Sequence, residues 1–414
     1  MHRFFTLTAL LAGAALAASL PTSKPEQSGM STARLQRLSA AMRGYIDRGE
    51  VAGTVTLVAR HGRVVHIESQ GLMDLDSRTP MRKDAIFRIA SMTKPITSVA
   101  VMMLMEEGKY LLTDPVSKFI PEFKNPKVLV VNRSGSSRSA SVLVPASREI
   151  TIQDLLTQTA GLPAASSVPL REEWAKFQKE TPSDETIADY CKRLARLPLN
   201  NQPGSAWEYG PATTVLGYLV EVVSGQRFDR FLADRIFKPL EMNDTFFYTP
   251  DDKLNRLVTL NDGGKPGALK AVRPAREMRG SQTFFNGAGG LLSTADDYAR
   301  FCQMLVGNGS FNGARLLSRK SVELMTTNAI GDLPIWPDLA GYRFGLGFRV
   351  LTDLGKSGVL GSLGSYGWGG AFGTYFFVDP KEDMFGILMI QQNSHSHLNI
   401  RVETQSLAEQ AITD

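Results

Sequence analysis

The order of secondary-structure patterns along the chain restricts its fold more than any other feature. Strand patterns come first, helix patterns fill the middle, and strand patterns return before a closing helix. Such an order favours one antiparallel sheet assembled from both ends of the chain, with a mostly helical insertion between them. The sequence therefore predicts an α+β fold in which the sheet is flanked by helices and faces a helical lobe across a cleft, where pockets tend to form.

Local periodicity places the individual elements. Ser31 is expected to cap the first helix, and residues 243–280 are polar and rich in Gly and Pro, which is typical of loop. The Ser-rich stretch 134–141 is expected to be a hairpin tip. Further helices are expected at about residues 91–107, 151–158, 184–197, 212–224, 228–237, 293–306 and 400–412. Strands are expected at 54–59, 64–68, 128–131, 142–145, 342–351, 373–378 and 384–391.

The amino terminus has the pattern of an export signal. A short positive start, Met1 to Arg3, precedes about fifteen mostly apolar residues, and Ala15-Leu16-Ala17 fits a cleavage site. We expect a signal peptide at 1–17 and a secreted or periplasmic protein, the alternative being an uncleaved tail on a cytoplasmic one. No other segment is long enough to span a bilayer, so no stable membrane insertion is expected after the signal is removed.

The remaining chain, 18–414, is expected to be one domain. Its α/β part would comprise about 30–85 and 340–414, and its mostly helical insertion about 86–339. The content of 43% hydrophobic and 21% charged residues excludes a mainly disordered, collagen-like or coiled-coil protein. The oligomeric state is not determined by the sequence.

Net charge bears on the expected binding partners, and cysteine content on the expected state of the thiols. Lysine and arginine number 46 against 41 aspartates and glutamates, a net charge of +5 without a dense basic block, so no nucleic-acid partner is expected. Cys191 and Cys302 lie in apolar periodic segments and are expected to be buried free thiols.

Histidine is scarce. There are five, and His2 lies in the expected leader, so a Ser-His-Asp hydrolase would have to draw its base from the other four. His61 and His66 belong to the first hairpin and read as ordinary sheet and turn residues. The pair His395 and His397 lacks an evident third ligand, so we expect a solvated pair rather than a metal site.

The strongest chemical signal is Ser91-Met-Thr-Lys94 at the head of the most apolar helix. Residues three apart on a helix share a face, so the two side chains are expected to be adjacent. A serine hydroxyl needs a nearby base, and a lysine can accept its proton when burial and the helix N-terminus favour the neutral amine. The alternative is a serine helix cap beside an exposed lysine.

Two further segments are candidates for the same site. Tyr209 follows Trp207-Glu208 and precedes a helix, where a tyrosine can act as a general base beside a lysine or simply pack on a turn. Gly364 to Gly373 holds five glycines in ten residues, which lets a backbone approach a substrate closely or marks a bulged edge strand. No G-x-S-x-G elbow, G-x-G-x-x-G fingerprint or Walker motif occurs.

Together these elements resemble the serine β-lactamase and penicillin-recognising enzymes, and most closely the class C-like esterases of family VIII. The resemblance covers about residues 30–410. It includes Phe87-Arg-Ile-Ala-Ser91-Met-Thr-Lys94, Leu112-Thr-Asp-Pro-Val116, Leu155-Leu-Thr-Gln-Thr-Ala-Gly161-Leu, Pro203-Gly with Trp207-Glu-Tyr209, Ile236-Phe-Lys-Pro-Leu240 and Gly287-Ala-Gly-Gly-Leu-Leu-Ser-Thr-Ala295.

The resemblance implies a role for each residue. Ser91 would be the nucleophile, Lys94 its activating partner, and Tyr209 the general base and later proton donor. The amides of Ser91 and Ala371 would form the oxyanion hole, with Trp368, Gly369 and Gly370 binding substrate. No cofactor or metal is required by this mechanism.

Two departures from the family pattern concern the substrate. Penicillin-recognising enzymes usually carry Tyr-x-Asn, and Pro211 stands here at the Asn position. They usually carry Lys-Thr-Gly, and Trp368-Gly369-Gly370 stands here instead, without the lysine cation that binds a β-lactam carboxylate. Both losses disfavour an efficient β-lactamase, and the indole suits uncharged esters.

A serine carboxylesterase acting on short- to medium-chain esters is therefore expected, with a small-molecule ester or β-lactam as substrate and β-lactamase activity on cephalosporins as a side reaction. The alternatives on this scaffold are a class C-like β-lactamase, a D-amino-acid peptidase or carboxypeptidase, and an acyltransferase. A penicillin-binding sensor domain that is acylated without turnover is a further alternative.

Overall fold

The computed structural model describes residues 20–132, 140–263, 267–273 and 282–414. The expected signal peptide and most of the Ser-rich hairpin tip lie outside the described residues. Within these ranges, no helix is both long and apolar enough to cross a membrane.

The described residues form mixed helices and strands. The helices are α1 Thr32–Asp47, α2 Thr93–Glu106, α3 Ile152–Leu156, α4 Arg171–Lys179, α5 Ile187–Leu194, α6 Ala212–Ser224, α7 Phe228–Leu232, α8 Ala295–Val306, α9 Arg319–Met325, α10 Leu354–Ser357 and α11 Ile400–Glu409. The strands are β1 Gly53–Arg60, β2 Arg63–Asp74, β3 Thr79–Pro80, β4 Phe87–Arg88, β5 Lys127–Asn132, β6 Ala140–Pro145, β7 Leu260–Asp262, β8 Lys270–Arg273, β9 Leu292–Ser293, β10 Ser310–Phe311, β11 Ala314–Arg315, β12 Tyr342–Phe344, β13 Arg349–Leu351, β14 Tyr366–Gly369, β15 Tyr375–Asp379 and β16 Met384–Met389.

One large sheet joins the two ends of the chain, as the element order predicted. It has eight strands in the order β12-β13-β14-β15-β16-β1-β2-β3, and the paired strands are antiparallel. The join is β1 against β16, where Val55 pairs with Met389 and Arg60 with Met384. The α+β fold class is confirmed.

Both faces of the sheet are covered, because β1, β15 and β16 are buried along their whole length, and β15 and β16 are accordingly almost entirely apolar rather than alternating. On one face Val58, Tyr375 and Leu388 pack in a cluster with α1 and α11. On the other face Leu57, Ile387 and their neighbours join a core that continues into α2, α6 and α8. One apolar core therefore runs from the sheet into these helices. Its packing fixes the position of the helices relative to the sheet.

The structure departs locally from the expected elements. The strand expected at 342–351 is a hairpin of β12 and β13, broken where Gly347 takes a φ of 96°. Helix α8 begins after the cap Thr294, since Ser293 is the last residue of β9. The expected loop 243–280 contains a 3-10 helix, Asp251–Arg256, besides β7 and β8. The Ser31 cap is confirmed, because its side chain accepts from the Arg34 amide.

Candidate active site

Ser91 and Lys94 lie side by side at the start of α2. Ser91 belongs to a one-turn 3-10 helix, Ala90–Met92, which leads directly into α2. The Lys94 amine is buried and donates to Ser91 Oγ at 3.2 Å and to the Ala288 carbonyl at 2.6 Å. Within the described chain, no carboxylate pairs with this lysine. The alternative of an exposed lysine beside a helix cap does not fit this burial.

The backbone before Ser91 is strained. Ala90 has a φ of 44°, a left-handed conformation that costs a residue with a side chain about 1–2 kcal/mol. Packing holds it there, because the turn after β14 presses against this segment: a Cβ on Gly370 would lie 2.5 Å from the Ile89 carbonyl oxygen. Backbone strain of this kind is found most often at active and ligand-binding sites, where one side chain must be held in a fixed direction.

The same turn brings the Gly-rich segment to the serine. The Gly370 amide bonds to the Thr374 carbonyl at 2.7 Å, which closes a tight turn with Ala371 at its tip. In the described part of the chain, the Ala371 amide donates to no acceptor. Ser91 and Ala371 line the same cavity. The two residues whose amides were expected to form the oxyanion hole therefore line one cavity.

Tyr209 completes the group. Its ring lies 4.5 Å from the Lys94 amine, measured to the ring centroid, and its hydroxyl accepts from Trp368 Nε1 at 3.2 Å. The loop around it is held by Gln158, whose carbonyl accepts from the Glu208 amide at 2.9 Å and whose side chain accepts from the Gly210 amide at 3.0 Å. Fixing the residues on both sides restricts where the phenol can point.

Aromatic rings build one wall of the site. Trp368 packs at 5.4 Å from Tyr209 and at 5.9 Å from Trp336, measured between ring centroids. Trp207 and Phe344 extend this cluster. Trp368 itself is buried, whereas 39% of Trp336 is exposed at the rim. This wall is apolar and suits an uncharged portion of a substrate.

The cavity enclosed by these elements has a volume of about 350 Å³, which falls within the range of small-molecule sites. It brings together the expected residues Ser91, Tyr209, Trp368, Gly369, Gly370 and Ala371, while Lys94 lies just behind Ser91. It also contains residues that were not expected at this site, namely Trp336, Asp338, Leu339, Arg349, His395 and Arg401.

His395 was expected in a solvated pair, and that expectation was wrong for this residue. Its ring is half-buried in the cavity wall, with Nδ1 3.1 Å from the carbonyl oxygens of Gln392 and Asn393. Burial, with the positive charge of Arg401 nearby, lowers its pKa, which favours the neutral ring. His397 is exposed as expected.

The two hairpin histidines play structural parts. His61 sits in the turn with a φ of 54° and pairs with Asp383 at 3.1 Å. His66 bonds across the hairpin to Thr56 at 2.8 Å, and burial lowers its pKa. Neither lines the cavity. In the described ranges no group of three or more His, Cys, Asp or Glu side chains is placed to hold a metal ion.

Two arginines that line the cavity were also not predicted from the sequence. Arg349 stands on β13 and Arg401 in the first turn of α11, inside stretches predicted only as a strand and a helix. No motif marks either residue. From the sequence, Trp368 in place of a lysine implied a loss of positive charge at the site. The structure shows that two guanidinium groups reach the same cavity from other elements.

Comparisons with known proteins agree on one family. A family model described as Beta-lactamase matches residues 38–407. Protein Rv1367c of Mycobacterium tuberculosis is 36% identical over 85% of this chain and 88% of its own length. Esterase EstB of Burkholderia gladioli is 30% identical, over 83% of this chain and 86% of its own. The solved structure of EstCE1, a hydrolase with promiscuous acyltransferase activity, is similar, with a TM-score of 0.74 at 25% identity. The similarity covers 92% of this chain and 99% of that one.

Proposed function

The chain belongs to the beta-lactamase family of serine hydrolases, among the family VIII esterases, and we propose that it is a carboxylesterase acting through a Ser91 acyl-enzyme. The observation that carries the proposal is the contact of Ser91 Oγ with the Lys94 amine at 3.2 Å, on the wall of a cavity shared with Tyr209 and Ala371. The groups that we propose as nucleophile, proton acceptor and oxyanion donors lie close together, which supports an acyl-transfer mechanism.

In the first half-reaction, Ser91 Oγ attacks the ester carbonyl carbon and its proton passes to the Lys94 and Tyr209 pair. The carbonyl oxygen becomes an oxyanion between the amides of Ser91 and Ala371. The intermediate collapses, the carbon–oxygen bond to the alcohol breaks, and Tyr209 returns the proton to the departing alkoxide. An acyl-serine remains.

In the second half-reaction, water takes the place of the alcohol. The same Lys94 and Tyr209 pair removes a proton from that water, which attacks the acyl carbon and releases the carboxylic acid and a free Ser91. The pair therefore serves as base and then as acid in each half-reaction. Side chains of this protein supply every proton-transfer group that the two half-reactions use.

An ester substrate is favoured over a β-lactam by the site's lining. Pro211 has no side-chain amide to bind an acylamino group, and Trp368 occupies the position of a carboxylate-binding lysine. The aromatic wall of Tyr209, Trp336 and Trp368 suits short and medium acyl chains or aryl alcohols. The esterase named among the relatives agrees with this substrate class.

The decisive experiment compares the kcat/KM of p-nitrophenyl butyrate with that of nitrocefin. We expect the ester to be preferred, with slow nitrocefin turnover as a side reaction of shared acylation chemistry. A comparable or greater value for nitrocefin would contradict the ester-first proposal. Adding an alcohol acceptor to the same assay shows how much of the acyl group is transferred rather than hydrolysed.

Two serine variants, one in the 3-10 helix and one in α2 that follows it, test the nucleophile. Ser91→Ala is expected to abolish ester turnover and any acyl-protein mass increment. Ser98→Ala is the matched control, because it removes from α2 a nearby hydroxyl whose oxygen has no hydrogen-bond partner within the described residues. Wild-type-like hydrolysis by Ser91→Ala would contradict the assignment, and a stable acyl increment in the wild type would indicate a non-turnover sensor instead.

We also propose that the protein is exported by the signal at 1–17 and that 18–414 folds as the hydrolase domain. The support is the charged start, the apolar run and the A-x-A site in the sequence. Amino-terminal sequencing of the protein from its native host would locate the cleavage, and an intact Met1 in the mature protein would contradict export.

A further inference from the structure

The turn at 286–290 contacts helix α2 through two neighbouring carbonyl groups. The Gly287 carbonyl accepts from Thr97 Oγ1 at 2.7 Å, and the Ala288 carbonyl accepts from the Lys94 amine at 2.6 Å. The second bond joins this turn to the proposed proton acceptor. Whatever fixes the direction of the Ala288 carbonyl therefore also restricts the direction of the amine.

Asn286 holds the turn in shape. Its side-chain Oδ1 accepts from the Ala288 amide at 2.8 Å, which closes an Asx turn. Its backbone carbonyl accepts from the amides of Gly289 at 3.2 Å and Gly290 at 2.9 Å. The Gly289 amide belongs to the same peptide unit as the Ala288 carbonyl, so together these bonds determine where that carbonyl points.

The same side-chain oxygen ties the turn to helix α6. Thr214 is buried in the first turn of α6, and its hydroxyl donates to Asn286 Oδ1 at 2.8 Å. Helix α6 begins at Ala212, three residues after Tyr209. A single amide oxygen thus accepts from the turn that contacts Lys94 and from the helix that follows the proposed general base.

The direction of the amine matters because a neutral lysine amine has only one lone pair. When one N–H of Lys94 donates to the Ala288 carbonyl, rotation about the Cε–Nζ bond is restricted. The lone pair can then be held toward Ser91 Oγ, which lies 3.2 Å away. Proton transfer depends first on this geometry, so an amine that rotates freely is a poorer base.

We propose that Asn286 is a positioning residue for this proton transfer. Through the Ala288 carbonyl it directs the Lys94 amine at Ser91, and through Thr214 it keeps that amine in a fixed relation to helix α6. Asn286 does not line the cavity, so it acts through other residues rather than on the substrate. The inference rests on the proposed esterase function and adds a residue that supports its chemistry.

Variants of Asn286 test the role by steady-state kinetics on p-nitrophenyl butyrate. Asn286→Ala removes the acceptor and should lower kcat by about tenfold to hundredfold while KM changes by less than about twofold. Asn328→Ala is the matched control, because Asn328 Oδ1 closes the same kind of turn on the Ile330 amide at 3.1 Å, outside the cavity. An unchanged kcat in Asn286→Ala, or a raised KM with kcat spared, would overturn the proposal.

The pH profile separates positioning from a general loss of structure. Asn286→Asp keeps an acceptor oxygen, so its kcat should return close to wild type at high pH. The new carboxylate favours the protonated form of the nearby Lys94 amine, so the acid limb of its kcat/KM profile should move to higher pH. An acid limb that stays in place, or a loss of kcat that is equal at every pH, would contradict the role.

A double-mutant cycle tests the link to α6. Thr214→Val removes the hydroxyl and nearly keeps the shape of the side chain. We expect it to lower kcat less than Asn286→Ala does, and the double variant to be no slower than Asn286→Ala, because both changes remove one connection. Losses that multiply in the double variant would refute the link.

A covalent probe separates this inference from the proposed function. Diethyl p-nitrophenyl phosphate is attacked by Ser91 Oγ, which forms a bond to phosphorus, expels p-nitrophenolate and gives its proton to the base. The rate of modification, followed by intact mass, reports activation of the serine without ester turnover. A rate that is lower in Asn286→Ala and normal in Asn328→Ala supports the inference even if the wild type hydrolyses no carboxylic ester. Equal rates in the three proteins, while the wild type hydrolyses esters, refute it and leave the esterase proposal standing.

Discussion

The indole nitrogen of Trp368 donates a hydrogen bond to the hydroxyl of Tyr209 at 3.2 Å. The donor stands on β14 and the acceptor on the loop before α6, so this bond joins the sheet to the helical part across the cleft. It gives Trp368 a second role besides its apolar face, because it orients the phenol that we propose as general base.

Trp368→Phe removes this donor and keeps an aromatic ring in the wall. Since the bond is worth about 1–1.5 kcal/mol, kcat on p-nitrophenyl butyrate should fall by about tenfold while KM changes little. Steady-state kinetics with both parameters resolved is the measurement. A variant that raises KM and spares kcat would show that the indole acts only as a binding surface.

Gln158 positions Tyr209 without touching the cavity. Its side chain accepts from the Gly210 amide at 3.0 Å, so Gln158→Ala frees the loop that carries the phenol. We expect kcat to drop by about tenfold to hundredfold, as for other small misplacements of a catalytic group. Gln153→Ala on α3 is the control of the same residue type. An unchanged kcat in Gln158→Ala would mean that the aromatic wall alone holds Tyr209.

Glu409, buried near the end of α11, makes stability depend on pH. Burial, with Asp379 and Glu382 nearby, raises its pKa from 4.5 to about 9. The folded state then keeps a proton that the unfolded chain has released, so stability is lost as pH rises through this interval, by up to about 1.4 kcal/mol per pH unit.

Glu409→Gln keeps the shape of the side chain and cannot ionise. We therefore expect a melting temperature several degrees above wild type at pH 8 and close to wild type near pH 4.5. Thermal unfolding of both proteins across this pH range is the test. Two melting curves that stay parallel at every pH would contradict the assigned protonation.

Cys191 and Cys302 are free and buried, as the sequence predicted, and burial raises the pKa of both thiols. Neither should react with Ellman's reagent in the native protein, and both should react once guanidinium unfolds it. Rapid labelling of either thiol in the folded state would show that its segment opens locally.

Histidine variants distinguish a hydrolase with a histidine base from one that uses the Lys94 and Tyr209 pair. Replacing His61, His66 or His397 singly with Asn should leave ester hydrolysis close to wild type, because none lines the cavity. His395→Asn alters the cavity wall and should raise KM while turnover continues. Loss of turnover as complete as in Ser91→Ala, in any of these variants with a normal fold, would identify a histidine base and refute the Lys94 and Tyr209 pair.

The fold class and the contact between Ser91 and Lys94 could both be predicted from the sequence. Ser91 and Lys94 are three residues apart on a helix, and helical geometry alone makes such side chains neighbours. That both ends of the chain contribute to one sheet followed from where strand patterns occur along the chain. Element boundaries were less secure, as at 342–351, where a strand pattern hides the break at Gly347.

What the sequence by itself determined is therefore the adjacency of Ser91 and Lys94, the candidate tyrosine and glycine-rich strand, and a sheet built from both chain ends. Only the tertiary structure decided what surrounds them. Arg349, His395 and Arg401 lie in segments whose periodicity shows which face is buried but not which other element packs against it. The physical reason is that a cavity wall is made by contacts between residues far apart in the chain, and local patterns carry no information about such contacts.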